Sequence, residues 1–209
     1  MKNPFFKYVI LSILSILIAE IFKKAIHYDN SLYNSLCEQL TSLQIKNLTG
    51  FQKRWQWIEY MFIPAILLIK TILIAAILYI GLTFSDRELK FNRLWDAVIK
   101  AEFIFLLVPV FKIIWFYFFQ TSYTLKDIQN FYPLSALSII EYTELQRWSI
   151  YPFQILNLFE LTYIIYLGYQ VGQLTNTHTG KGLKIVGYSY VHVLLLWVVT
   201  IMFFTKNYS

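Results

Sequence analysis

Residues 57–84 read WIEYMFIPAILLIKTILIAAILYIGLTF, an apolar run in which the charged side chains are Glu59 and Lys70. About 20 apolar residues suffice for a helix to cross a hydrocarbon core about 30 Å thick. Because this run is longer, we expect a spanning helix that is tilted or that has an interfacial first turn. The run therefore predicts an integral membrane protein.

Four further apolar runs predict additional spans, at residues 5–22, 97–119, 151–174 and 185–204. The first of them has Lys2 and Lys7 at its start but lacks a small-residue cleavage site, so we expect an uncleaved anchor helix. No internal repeat or long linker is visible. The predicted fold class is all-α: a polytopic membrane helical bundle with about five transmembrane helices, forming a single domain over residues 1–209.

The composition agrees with this class. Hydrophobic residues make up 57% of the chain, charged residues 14%, and the mean hydropathy is +0.52. A soluble domain of this size needs a charged shell, which these clustered charges cannot supply. The net charge of +6 comes from basic residues beside the apolar runs, where they set topology and meet lipid headgroups. We therefore expect the lipid bilayer, and not a nucleic acid, as the partner of these charges.

Two polar segments, 28–55 and 120–150, predict short interfacial or cap helices. In the first, leucines recur at helical spacing and predict an amphipathic helix, which lies along the membrane, against the bundle or in a solvated cap. These leucines are Leu32, Leu36, Leu40, Leu43 and Leu48. In the second segment, Thr124 and Asp127 have capping-box spacing, and Pro133 separates two expected short helices.

Orientation follows from the density of basic residues, because five spans place the two termini on opposite sides. The side of the N-terminus carries the denser set, which favours a cytoplasmic N-terminus. This set is Lys2, Lys7, Arg87, Lys90, Arg93, Lys181 and Lys184. The abundance of Ile, Lys, Asn, Phe and Tyr suggests an AT-rich bacterial genome, so we expect the cytoplasmic (inner) membrane as the location.

Charged residues inside the predicted spans are the candidates for a functional site. A Lys at the depth of Lys70 costs about 2.5–3.5 kcal/mol unless it finds a partner or water. Glu160 is predicted at nearly the same depth, one turn after Asn157, and Lys112 is a second possible partner for Glu160. Lys70 and Glu160 form either a proton relay or substrate contact, or a polar clasp that fixes helix register. Glu102 is expected at the interface.

The sequence lacks the motifs of an enzyme. HExxH, GxSxG and Walker A patterns are absent. His27, His178 and His192 lie far apart and Cys37 is the single cysteine, so no metal site is expected. We predict no catalytic residues and no cofactor. Gly168 and Gly172 have a GxxxG spacing, which permits close helix packing.

The sequence has the run Phe131-Tyr-Pro-Leu-Ser135 before a short helix, and the run Leu156-Asn-Leu-Phe-Glu160 opens the fourth span. Together with the plan of five spans, these runs resemble the Yip1-like integral membrane family. The resemblance implies a cytoplasmic N-terminus and a non-enzymatic role in organising membrane traffic or a membrane complex.

Two functions follow as hypotheses. The first is a non-enzymatic scaffold or accessory subunit that binds membrane protein partners, because interfacial helices and packing signals are present without an assembled site. The second is a small permease or transporter component that uses Lys70 and Glu160. The sequence leaves the oligomeric state open.

Overall fold

A computed structural model of the chain describes residues 3–37, 40–84, 89–140 and 145–208, and at a few helical positions within these ranges it describes the backbone alone. All regular elements in these ranges are helical. Extended backbone pairs within them at one isolated antiparallel bridge, between Ser135 and Asn157. The all-α prediction is confirmed.

The helices follow one another along the chain with short connections. They are α1 (Pro4–Ala25), α2 (Tyr28–Cys37), α3 (Ser42–Thr83), α4 (Phe91–Glu102), α5 (Leu107–Phe118), α6 (Leu125–Asn130), α7 (Arg147–Ile155), α8 (Leu158–Leu174), α9 (Thr179–Val186) and α10 (His192–Tyr208). Two 3₁₀ turns, Phe103–Leu106 and Ala136–Ser138, and a π turn, Gly187–Val191, complete the described structure.

Three helical stretches in the described ranges are long and apolar enough to cross a membrane. They are Pro4–Ala25, Tyr60–Thr83 and Thr179–Asn207, and the last runs through α9, the π turn and α10. They match three of the predicted runs, 5–22, 57–84 and 185–204. The predicted number of five is not confirmed, because the other two runs are interrupted.

The third predicted run, 97–119, belongs to a longer helical stretch that is broken near its middle. α4 begins at Phe91, before the apolar run, and gives way to the 3₁₀ turn Phe103–Leu106 before α5 begins. Pro109 explains the break. It has no N–H to donate to the carbonyl of Phe105, and its ring crowds that carbonyl, so the preceding turn tightens.

The fourth predicted run, 151–174, is two helices, and a continuous helix over it is wrong. α7 ends at Ile155, and α8 begins at Leu158 with Asn157 as its N-cap. The broken backbone pairs with residues of the preceding loop: Leu158 N–H donates to the Leu134 carbonyl at 3.0 Å, and Ala136 N–H donates to the Leu156 carbonyl at 2.8 Å. These bonds satisfy groups that a helix break would leave unpaired.

The predicted amphipathic helix across Leu32–Leu48 is also wrong. α2 ends at Cys37, and α3 begins at Ser42, where the Gln44 side chain accepts from the Thr41 N–H at 3.0 Å. Leu43 and Leu48 are 70% and 47% exposed, whereas Ile45 is buried. The leucines therefore do not form one buried stripe. In the segment 120–150, the capping box of Thr124 and Asp127 at the start of α6 is confirmed.

The core lies where α3, α4, α8 and α9 meet. Leu78 of α3, Val98 of α4 and Leu167 of α8 are fully buried in it. α8 and α9 form a close antiparallel hairpin, in which a Cβ added to Gly182 would lie 2.0 Å from the carbonyl oxygen of Gly168. The GxxxG glycines are thus used for packing inside this chain.

The connection after α1 and the connection after α5 contact each other. The Tyr123 hydroxyl, after α5, donates to the Ile26 carbonyl, after α1, at 3.0 Å. Ile26, Phe116 and Ile128 form a small buried cluster at the same place. The contact joins the connection after α1 to the connection after α5.

Candidate functional site

Lys70 forms an ion pair inside the bundle. Its ammonium lies 2.9 Å from Oε2 of Glu102, at the C-terminal end of α4, and 4.2 Å from the centroid of the Phe105 ring. The Glu102 side chain is 1% exposed and the Lys70 side chain 41%. The carboxylate is therefore desolvated, whereas the ammonium keeps an open side.

Tyr163 of α8 holds the second oxygen of this carboxylate. Its hydroxyl donates to Glu102 Oε1 at 3.0 Å, and its side chain is fully buried. Glu102 is therefore bound by a cation from α3 and a hydroxyl from α8. A charge-assisted hydrogen bond of this kind is stronger than a neutral one, so the carboxylate ties three helices together.

Glu160 lies in the first turn of α8. Its backbone N–H donates to Asn157 Oδ1 at 2.7 Å, and its carboxylate accepts from the Tyr190 hydroxyl at 2.7 Å. The helix N-terminus also favours a negative charge at this position. Tyr190 belongs to the π turn, and its ring centroid lies 5.5 Å from that of Tyr163.

The interior polar cluster thus consists of Lys70, Glu102, Glu160, Tyr163 and Tyr190. Its ion pair differs from the predicted one, since the partner of Lys70 is Glu102 and not Glu160. The reason is the position of the helix starts: α4 begins at Phe91, which places Glu102 in its last turn and deep in the bundle, and α8 begins at Leu158, which places Glu160 in its first turn.

The other two predicted site residues have structural contacts. The Lys112 ammonium donates to the Ile128 carbonyl at 3.2 Å and lies 5.9 Å from the Tyr132 ring centroid, so it supports α6. Its predicted ion pair with Glu160 is absent from the described part of the chain. Asn157 caps α8, and its amide also donates to the Gln154 carbonyl at 2.8 Å.

Two cavities reach the interior polar cluster from different sides. Lys70 and Glu102 line a cavity of about 310 Å³ between α1, α3 and α5, together with Ser15, Phe22 and Pro109. Glu160 lines a larger groove of about 700 Å³ beside α8 and α10. One cavity therefore opens at the Lys70 ammonium, and the other opens at the Glu160 carboxylate.

A second group of charges lies near the start of α4. Asp96 accepts hydrogen bonds from the ammonium groups of Lys7 and Lys100, the latter at 2.8 Å. Burial alone would raise the pKa of Asp96, but the hydrogen bonds and positive charges of Lys100 and Lys7 outweigh it and lower the pKa below its ordinary value. This group ties α1 to α4.

The interior polar cluster supplies charged groups and hydrogen bonds. Within the described ranges, no three His, Cys, Asp or Glu side chains lie close enough together to hold a metal ion. Sequence reasoning placed Glu102 at the interface and did not predict that the hydroxyls of Tyr163 and Tyr190 bind carboxylates. The spacing Asn157-x-x-Glu160 is a helix-start signal that would have placed the beginning of α8 correctly.

No protein-family model, curated protein or solved structure matches the chain. The resemblance to the Yip1-like family therefore stays a prediction.

Proposed function

We propose that this chain is a membrane scaffold or accessory subunit of the Yip1-like type, without enzymatic activity, in the bacterial cytoplasmic membrane. It crosses the membrane five times and binds other membrane proteins through its outer apolar faces. The interior polar cluster holds the helices in register. The observation that carries this proposal is that the interior charge is used to join α3, α4 and α8.

Five crossings are supported by the contact between Tyr123 and Ile26. Crossings by α1, α3 and α9–α10 alone would place the connections after α1 and after α5 on opposite sides, whereas these two residues are hydrogen bonded. The two further crossings are the predicted runs 97–119, in α4 and α5, and 151–174, in α7 and α8. α8 alone has 17 residues, about 25 Å at 1.5 Å per residue, and α7 supplies the rest of the thickness of the hydrocarbon core.

The outer face of α3 supports partner binding. Met61, Ile66, Ile69 and Leu73 are each more than half exposed along the stretch Tyr60–Thr83. In a bilayer this face contacts lipid or another protein. A chain whose Lys70–Glu102 ion pair joins its helices and whose outer faces are apolar is suited to hold membrane protein partners.

Lys70 favours a second candidate function, a small permease. Its side chain is 41% exposed and faces a cavity of about 310 Å³. An ionisable group beside a cavity at membrane depth is typical of a transport pathway. In this reading Lys70 exchanges Glu102 for an anionic substrate.

Site-specific photocrosslinking in the membrane tests the scaffold proposal. A photoreactive side chain at Ile69, which is 59% exposed, is compared with the same side chain at Ile74, which is 6% exposed and packs in the core. We expect a discrete protein adduct of constant mass from position 69 and none from position 74.

The permease reading predicts another result. Two results together would contradict the scaffold and favour transport. The first is lipid adducts alone at Ile69, Met61 and Ile66. The second is stabilisation of the purified chain by small anions through Lys70. Loss of that stabilisation in Lys70→Met would assign the anion to the cavity.

A further inference from the structure

The lateral groove beside α8 and α10 has one charged residue on an apolar wall. Its volume is about 700 Å³, and its apolar lining includes Leu134, Leu161, Ile164, Leu194 and Leu195. Its polar lining residues are Ser135, Ser138, Asn157 and Glu160. None of the described lining residues is Lys, Arg or His. The groove therefore offers a negative charge in apolar surroundings.

The π turn explains why the groove exists. α9 packs closely against α8 through Gly182 and Gly168. After the turn Gly187–Val191, α10 packs against α7, where Trp197 Nε1 donates to the Tyr151 hydroxyl at 2.9 Å. α8 and α10 thus separate beside Glu160. π turns inside helices occur frequently at functional sites.

Glu160 makes no ion pair in the part of the chain that the structure describes; the Lys70 ammonium is bound to Glu102. Its hydrogen-bond partners, Asn157 and Tyr190, are neutral. An ionised carboxylate in such surroundings is costly without a cation. Charge complementarity therefore calls for a ligand that carries positive charge.

The depth of Glu160 excludes a lipid headgroup as the source of that charge. Its partner Tyr190 lies 11 residues after Thr179, the start of the span Thr179–Asn207 (190 − 179 = 11). At 1.5 Å per residue this is about 16 Å, close to half of a core about 30 Å thick. The cation has to be soluble in the hydrocarbon core.

A partner helix fits the groove less well than a small molecule. Close helix approach in membranes depends on small residues, and the glycines of α8 are already packed against α9. The groove wall carries bulky Leu, Ile and Val side chains. Since a cavity of about 150 Å³ holds one benzene ring, four phenyl rings need about 600 Å³, and the groove has about 700 Å³.

We propose that the lateral groove is a binding site for a monovalent lipophilic organic cation, with its apolar groups against α8 and α10 and its charge beside Glu160. The ligand enters sideways from the bilayer. The site stands apart from the scaffold role, because it rests on the groove and Glu160 and not on the outer face of α3.

Binding of tetraphenylphosphonium to the purified full chain tests the proposal, with uncharged triphenylphosphine oxide as the comparison compound. Glu160→Gln keeps an acceptor for the Tyr190 hydroxyl and removes the charge. Leu195→Trp fills the groove. Leu196→Trp is the matched control, since Leu196 is exposed on the same helix but does not line the groove.

We expect saturable binding of the cation, weakened about tenfold or more in Glu160→Gln and similarly in Leu195→Trp, with Leu196→Trp unchanged. Thermal unfolding and gel filtration confirm that each variant is folded, and either test variant alone decides if the other does not fold. Equal binding of cation and uncharged compound, or unchanged affinity in the folded test variants, would overturn the proposal and leave a groove filled by acyl chains.

Discussion

Lys70 and Glu102 lie 32 positions apart in the sequence and form a 2.9 Å ion pair between α3 and α4. Because Glu102 is buried, Lys70→Met leaves a carboxylate without its cation, and we expect a loss of about 3–5 kcal/mol in the free energy of unfolding. Glu102→Gln should also destabilise. The double variant should recover part of the summed loss, as measured by unfolding in mixed micelles.

The matched cycle combines Lys70→Met with Glu160→Gln. Since the ion-pair partner of Lys70 is Glu102, the coupling energy of this second cycle should be the smaller of the two. A larger coupling to Glu160 than to Glu102 would show that the pair predicted from the sequence is the correct one.

Tyr163→Phe tests the hydroxyl that α8 contributes to Glu102. The change removes one hydrogen bond to a buried carboxylate and leaves the ring in place, so we expect a loss of about 1–3 kcal/mol in the free energy of unfolding. Tyr169→Phe is the control, because its hydroxyl contacts Gln173 on the same helix in an exposed position. Equal effects of the two changes would argue against a special role for Tyr163.

Gly182→Ala tests the close packing of α8 against α9. The new Cβ would meet the carbonyl oxygen of Gly168 at 2.0 Å, and backbone has to move to accommodate it. We expect a loss of about 1–3 kcal/mol or more, measured by thermal unfolding in detergent. Gly180→Ala, two residues earlier, meets nothing within 4 Å and should be tolerated; similar melting temperatures for the two variants would contradict this packing.

The stability of the folded chain should depend on pH through Asp96. In the folded chain its pKa lies below the ordinary value of 3.8 because of Lys100 and Lys7, which outweigh the opposite effect of burial. Its contribution to stability is therefore present above 3.8 and is lost as the pH falls through the lowered pKa. Asp96→Asn should be less stable than the parent chain at pH 7, and the difference should shrink below about pH 4. A stability difference between the parent chain and Asp96→Asn that grows on acidification would contradict this prediction.

The sequence predicted well where a helix is long and continuous. Residues 5–22, 57–84 and 185–204 were found because apolar length is a sufficient signal for a spanning helix. Hydropathy alone does not report a break inside an apolar run. The 3₁₀ turn before Pro109 and the cap at Asn157 are local backbone events within runs 97–119 and 151–174.

The candidate site was predicted only in part, because hydropathy does not show where a helix begins. Lys70 and Glu160 both line cavities of the bundle, but their partners depend on where α4 and α8 begin. Counting from the apolar boundary at residue 97 places Glu102 at the interface, whereas the helix starts at Phe91. No sequence pattern assigns the hydroxyls of Tyr163 and Tyr190 to particular carboxylates, and the fold alone does so.

Cysteine accessibility in intact cells tests the central claim of five crossings most directly. After Cys37→Ser, single cysteines at Thr41, Lys90, Ser122 and Thr179 are treated with a membrane-impermeant thiol reagent; all four positions are exposed. With a cytoplasmic N-terminus, five crossings predict labelling at Thr41 and Ser122 and protection at Lys90 and Thr179. Protection at Ser122 together with labelling at Thr41 would contradict the account, because the chain would then cross three times.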